Sequence, residues 1–321
     1  MDQQIYNTQV DARAQQMLAA ICERTTDYSH WNVHVLMMLD PDPEEVTRTV
    51  RRTLWRGTEA PATELMGGPF EILPAALAYC RWQDALTDEG RFLLHDYLTG
   101  AHFERGNTEN HWLMYYAGLL LACEQFPDSD FTWNGLSPQV LAAEAKRWIL
   151  GIIERTARLG HHEYDSTHYH VEHMVAYVGL YEHSQDEHLR AQCEKKLSIL
   201  VADMALEYFK GAWAGGHSRE GYRRNTWTHS GTVQPLNYLY FGDIDFNPRI
   251  HGGSFDTPIL VATYRPPALL AEIALDNSKA HIVKKTRAPR NIYRHAEHDP
   301  YPVRKYTYMS RSFALGSTQL G

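Results

Sequence analysis

The chain has 321 residues, a formal net charge of −8, and 44% hydrophobic and 22% charged residues. That balance belongs to a globular chain with a large core, and its sign speaks against nucleic acid or an anionic membrane as a partner. No apolar run approaches the ~20 residues of a membrane helix. Cys22, Cys80, Cys123 and Cys193 are too dispersed for a disulfide framework and read as buried thiols.

The N-terminal MDQQIYNTQV lacks a charged start followed by an apolar stretch, so no signal peptide is expected. The expected location is cytoplasmic, or secreted or periplasmic if a leader has been removed. Apolar periodicity predicts helices over 11–23, 30–39 and 43–56, the last opened by Pro43 with acids in its first turn. A loop rich in Gly, Pro and Thr (58–68) precedes a helical pair at 70–83 and 88–104.

Next come an apolar helix at 109–126 and a more charged one at 138–158, capped by Ser137 with Pro138 first. The arrangement recurs as 163–183 followed by 186–210, and Glu109 and Glu163 are 54 residues apart. An apolar inner helix followed by a charged outer one, repeated, predicts a mainly α fold. The expected architecture is an (α/α) toroid, an incomplete barrel of helical hairpins, over residues 1–280.

From Gly211 the texture becomes irregular, rich in Gly and aromatics. A further pair is expected at 255–264 and 266–277, followed by a basic, Pro-containing stretch at 279–300. The end of the chain, RKYTYMSRSFALGSTQLG at 304–321, alternates like a strand. Residues 281–321 are therefore read as a linker and short C-terminal β segment, either the start of a β-domain or strands that close on the toroid.

Placed on a helix, Glu163, Ser166, Tyr169, His170, His173 and Tyr177 share an arc of roughly 120°. Tyr and His line pockets that need apolar bodies with polar tips, so this stripe is expected to face a substrate. His170 and His173 also share a face, but no acid or cysteine stands at ligand spacing. No metal and no cofactor are expected.

Two more clusters carry chemistry: Asn110-His111, opening an inner helix, and GGHSREGYRR, with His217, Arg219, Tyr222 and Arg223. Asn, His, Tyr and Arg together suit β-elimination beside a uronate carboxylate. An amide, imidazole or guanidinium neutralises the carboxylate and stabilises the enolate-like intermediate. A His or Tyr removes the C5 proton, and a Tyr protonates the departing oxygen.

TENHW at 108–112, E-Y-D-S-x-x-Y at 163–169 and GGHSRE at 215–220 occur in that order. The combination resembles heparinase II/III-like and alginate-lyase-like polysaccharide lyases of the (α/α)-toroid class, over most of residues 65–225. The resemblance implies a lyase that cleaves an acidic, uronate-containing polysaccharide or oligosaccharide. It makes Asn110 the carboxylate neutraliser, His111 the candidate base, Tyr169 the acid or both acid and base, and Arg219 their support. Glu163, Ser166, His170, His173, His217, Tyr222, Arg223 and Trp112 are the expected substrate-binding residues.

Two other readings stand beside it. A toroid glycoside hydrolase acting on unsaturated uronyl oligosaccharides would use Asp165, Glu163 or Glu109 as its carboxyl group. A helical scaffold that binds glycan without turning it over is the other.

Overall fold

The computed structural model describes residues 1–24, 34–35, 37, 42–56, 58–133, 135–219, 231–251, 254–288 and 302–319. Its long helices are α1 (Gln3–Arg24), α2 (Pro43–Leu54), α3 (Pro69–Trp82) and α4 (Asp88–Gly100), then α5 (Glu109–Gln125), α6 (Pro138–Leu159), α7 (His170–His183) and α8 (Glu187–Leu206). Most begin at a residue whose side chain accepts a hydrogen bond from a first-turn N–H: Asp42, Thr87, Thr108, Ser137 and Asp186. Such caps satisfy donors that the helix itself leaves open. Shorter helices follow: α9 (Gln234–Phe241), α10 (Pro248–His251), α11 (Thr257–Leu260) and α12 (Ala268–Leu275).

Helix α5 packs between α3 and α7; α6 lies against α5 and α8 against α7, and α6 and α8 touch each other. Burial follows the same division. Every residue of α7 from His170 to Leu180 is buried, whereas α6 buries one stripe that includes Leu141, Ala145, Ile149, Ile152 and Ile153. Close approach depends on missing side chains. A Cβ on Gly118 of α5 would meet the Leu73 backbone nitrogen at 2.9 Å, and one on Gly179 of α7 would meet the Leu77 side chain at 2.6 Å. Helix α1 packs against α9, α10, α11 and α12, so the first helix meets the last ones. The inner helices α5 and α7 are thus neighbours.

Several boundaries differ from expectation. The stretch 163–183 is helical only from His170, and 162–169 form turns. Asp165 adopts a positive φ of 47°, which no residue inside a right-handed helix can have. Glu163, Ser166 and Tyr169 therefore do not share a helical stripe with His173 and Tyr177. The helix expected over 186–210 ends at Leu206, because Tyr208–Phe209 (β3) pairs with Ala212–Trp213 (β4). Lys210 and Gly211, both at positive φ, make the tight turn between them. The helix expected over 88–104 stops at Gly100, since His102–Phe103 (β2) pairs in parallel with Met66–Gly67 (β1). Between 255 and 277 only α11, α12 and a short 3₁₀ turn (Ser254–Asp256) are helical, separated by a stretch that includes Pro266 and Pro267. Of the helix expected at 30–39, only His34, Val35 and Met37 are described, all helical and buried.

The C-terminal segment is an antiparallel sheet in the order β5 (His281–Arg287), β6 (Val303–Met309), β7 (Ala314–Gln319). Alternation puts Val283, Lys285, Arg287, Val303, Lys305 and Thr307 toward the protein. The other face exposes Ile282, Tyr306 and Leu315. Gly316 of β7 lies against Gly215 and Gly216, where a Cβ on Gly316 would come 2.5 Å from the Gly215 Cα. The Gly-Gly pair thus makes room for the sheet. No helix among the described residues is long and apolar enough to cross a membrane.

Candidate functional site at the helix N-termini

The parallel pairing of β1 with β2 brings together the starts of α3 and α5, and Glu109 binds the 162–169 turns that lead into α7. Three neighbouring helices thus begin at one end of the fold. Their positive dipole ends favour an anion there.

Between the segments before α3 and α5 lies a cleft of about 380 Å³ lined by Arg56, Met66, Glu71, Glu104, Gly106 and His111. Next to it in the helix order, the 162–169 turns are tied down by backbone contacts. Ser166 Oγ donates to the Arg219 carbonyl at 2.8 Å and accepts from the Tyr169 N–H at 3.0 Å. Ser218 N–H donates to the Tyr164 carbonyl, and Val233 N–H to that of Thr167.

Asp165 is the turns' anchor. It pairs with Arg287 at 3.0 Å, with Lys305, and with Lys285 at 3.6 Å. Glu207 pairs with Lys285 at 2.5 Å and Lys305 at 3.3 Å and accepts from Thr307, while Asp203 pairs with Arg287 and Lys285. Three cations from the sheet meet three carboxylates from α8 and the turns, so this buried group is balanced in charge. Burial alone would raise the Asp165 pKa; Lys285, Lys305 and Arg287 more than reverse that and hold it well below the usual range. An acid so committed cannot serve as the proton donor considered for it in the hydrolase reading.

Around Asn110 the groups form a second network. Thr108 Oγ donates to Asn110 Oδ1 at 2.6 Å, and the Asn110 side-chain amide donates to Glu172. The Asn110 N–H donates to Glu163 Oε2 at 3.1 Å, and Arg219 Nη1 donates to Glu163 Oε1 at 2.6 Å. Burial, with Glu109 nearby, raises the Glu163 pKa, and the contacts from Arg219 and the Asn110 N–H offset only part of that. A guanidinium on one oxygen and an N–H on the other fix the orientation of the Glu163 carboxyl group. Glu172 is in no ion pair among the described residues, and burial raises it to about 8. The Arg219 guanidinium lies over the Tyr169 ring, 3.9 Å from its centroid.

The expected site residues thus separate. Tyr169, Arg219, Glu163 and Ser166 come together. Asn110 joins them from behind, fully buried and bound to two carboxylates. His111 turns away, since consecutive helical residues point about 100° apart. It lines the cleft with Arg56 and Glu104, and its ring meets Phe70 edge-on at 5.4 Å. His170 packs edge-on against Trp213 in the interior. His217 bridges the carbonyls of Asp165 and Trp213 at 2.6 and 2.9 Å as a strut. Trp112 is capped by Arg105 at 3.7 Å, which covers one ring face. Tyr222 and Arg223 lie outside the described residues.

The sequence reading missed Glu172 and the pairing of His173. His170 and His173, three apart on α7, do share a face, but it is His161 that His173 stacks on, with centroids 3.9 Å apart and planes 9° from parallel. The acid beside them is Glu109 of α5, and one donor atom from each of the three lies within 4.8 Å of the others. No acid stands at ligand spacing from these histidines in the sequence; the carboxylate beside them comes from a neighbouring helix. No protein-family model, curated protein or solved structure matches the chain.

Proposed function

We propose that the chain is a polysaccharide lyase of (α/α)-toroid architecture that cleaves a uronate-containing glycan by β-elimination. The observation that carries this reading is the stacking of Arg219 on Tyr169, with Glu163 fixing the guanidinium, at the end where three helix N-termini gather. A cation over the ring face eases ionisation of the phenol, which then takes the C5 proton and returns one to the leaving oxygen. The uronate carboxylate is drawn by the helix ends and by Arg219. Asn110 acts behind the site, setting Glu163 and Glu172, in place of the direct neutralising role that the family resemblance implies. His111 and Arg56 bind the glycan in the adjoining cleft.

The test is an ultraviolet screen against alginate, glucuronan, pectate, hyaluronan and heparan-type substrates. Elimination creates an absorbing double bond in the product. A full panel with no new absorbance and no chain shortening rejects the reading.

One observation favours a second reading, hydrolysis of a uronyl oligosaccharide. Asn110 links two carboxyl groups in unlike environments: Glu163 is paired with Arg219, and Glu172, bound to the Asn110 amide, is raised to about 8. Such a pair is the usual acid and base of glycoside hydrolysis. Chain shortening without new absorbance, lost in Glu172→Gln, selects it.

A further inference from the structure

Three elements meet where α6 gives way to the 162–169 turns. Glu109 is the first residue of α5, His161 follows the Gly160 that ends α6, and His173 lies in the first turn of α7. Their side chains are 8%, 3% and 1% exposed. His161 Nδ1 is 3.2 Å from Glu109 Oε1.

Despite that short approach, several polar atoms here make no hydrogen bond among the described residues. Glu109 Oε1, both ring nitrogens of His161 and His173 Nε2 are buried without a hydrogen-bond partner. Buried polar atoms are almost always partnered. Each neutral imidazole carries one lone pair and one N–H, so the electron-pair donors left without an acceptor are the carboxylate oxygen and one nitrogen of each ring. Two parallel imidazoles cannot satisfy each other in this geometry, since face-to-face rings present no N–H to a lone pair.

The surroundings prepare the same donors. Glu109 Oε2 accepts the Glu163 N–H at 3.2 Å, which orients the carboxylate and leaves Oε1 for another partner. Glu163 itself is occupied by Arg219 and the Asn110 N–H. A cavity of about 10 Å³ borders His161, Glu163 and His173, room for one water-sized ligand.

We propose that Glu109, His161 and His173 bind a single divalent transition-metal ion, of which zinc fits best. The ion clamps the start of α5 to the start of α7 and to the turns that carry Glu163, Asp165 and Tyr169. Two imidazoles and a carboxylate, completed by water, form a zinc donor set once the stacked rings turn so that one lone pair from each meets at the ion. The depth of the ligands makes the ion structural, so the inference does not depend on the sugar chemistry proposed above.

The test uses the full chain, exchanged into zinc and then desalted, with metal content measured by mass spectrometry. About one zinc per chain is expected, with a melting temperature that falls on chelation and recovers when zinc alone is returned. His161→Gln and Glu109→Gln should each lose the stoichiometric zinc. X-ray absorption of the zinc-loaded parent should show nitrogen and oxygen ligation with scattering from two imidazoles. If the variants do not fold, that spectrum and the chelation melt of the parent decide the matter. The proposal is overturned if the parent keeps far less than one zinc with an unmoved melting temperature. Sulfur ligation, or full zinc retention in both variants, overturns it equally.

Discussion

Lys305, on the middle strand of the C-terminal sheet, is ion-paired with Asp165, 140 residues earlier in the chain. Side chains that are 1% and 2% exposed make this a pair in low dielectric, and Lys285, Arg287 and Glu207 share it. The sheet is thereby a brace for the turns that hold Glu163 and Tyr169.

Removing one partner leaves the other charge buried and uncompensated. Lys305→Met should lower the unfolding free energy by about 3–5 kcal/mol, the usual cost of breaking such a pair. Urea unfolding of the variant checks this. A loss under about 1 kcal/mol would mean that the remaining cations compensate and that the brace is redundant.

Tyr169→Phe removes one hydroxyl and leaves the ring under Arg219. If the lyase reading holds, turnover should fall by ~10²–10⁴, as for loss of an acid–base group, with a much smaller change in KM. Circular dichroism should be unchanged. Steady-state rates on whichever polyuronate the parent degrades make the comparison, and parental turnover in the variant would remove Tyr169 from the chemistry.

Two glycines in helices should respond in opposite directions. Gly118→Ala puts a methyl within 2.9–3.0 Å of the α3 backbone, and overpacking of this kind costs about 1–3 kcal/mol. Gly151→Ala, in α6, meets nothing within 4 Å and should stabilise by about 0.5–1 kcal/mol through helix propensity. Denaturant midpoints of the two variants beside the parent give the signs directly.

Burial lowers His34 to about 3 and His183 to about 4, each helped by Arg81. Trp82 Nε1–H donates to His34 Nδ1 at 3.3 Å, which requires the uncharged ring. Because both folded pKa values lie below the unfolded ~6.5, their contribution is complete above that pH. It is lost as pH falls from about 6.5 towards 4, when the unfolded chain takes up protons that the folded chain refuses. A loss on the order of 2 kcal/mol per imidazole is expected. Unfolding curves between pH 7 and pH 4 should be steeper for the parent than for a His34→Gln, His183→Gln double variant. Equal slopes would place the acid sensitivity elsewhere.

The helices from α2 to α8 were legible in the sequence because their causes are local. Pro43, Ser137-Pro138 and the acids of the first turns mark starts, and the apolar run of α5 beside the one-sided pattern of α6 separates inner from outer. The motifs at 108–112, 163–169 and 215–220 pointed to segments that do meet, through Glu163 with Asn110 and Arg219.

What the sequence could not determine was the path of 161–169. On a continuous helix His161 and His173 would stand about 18 Å apart, at 1.5 Å per residue, yet their rings stack. The turn that brings them together is set by Asp165, whose partners Arg287 and Lys305 lie 122 and 140 residues away. Periodicity and capping act over a few residues, so they determined the helices. A buried carboxylate must find its cations wherever the chain supplies them, and that long-range demand decided the turns, the reach of Glu109 towards His161, and the side chains that Tyr169 meets.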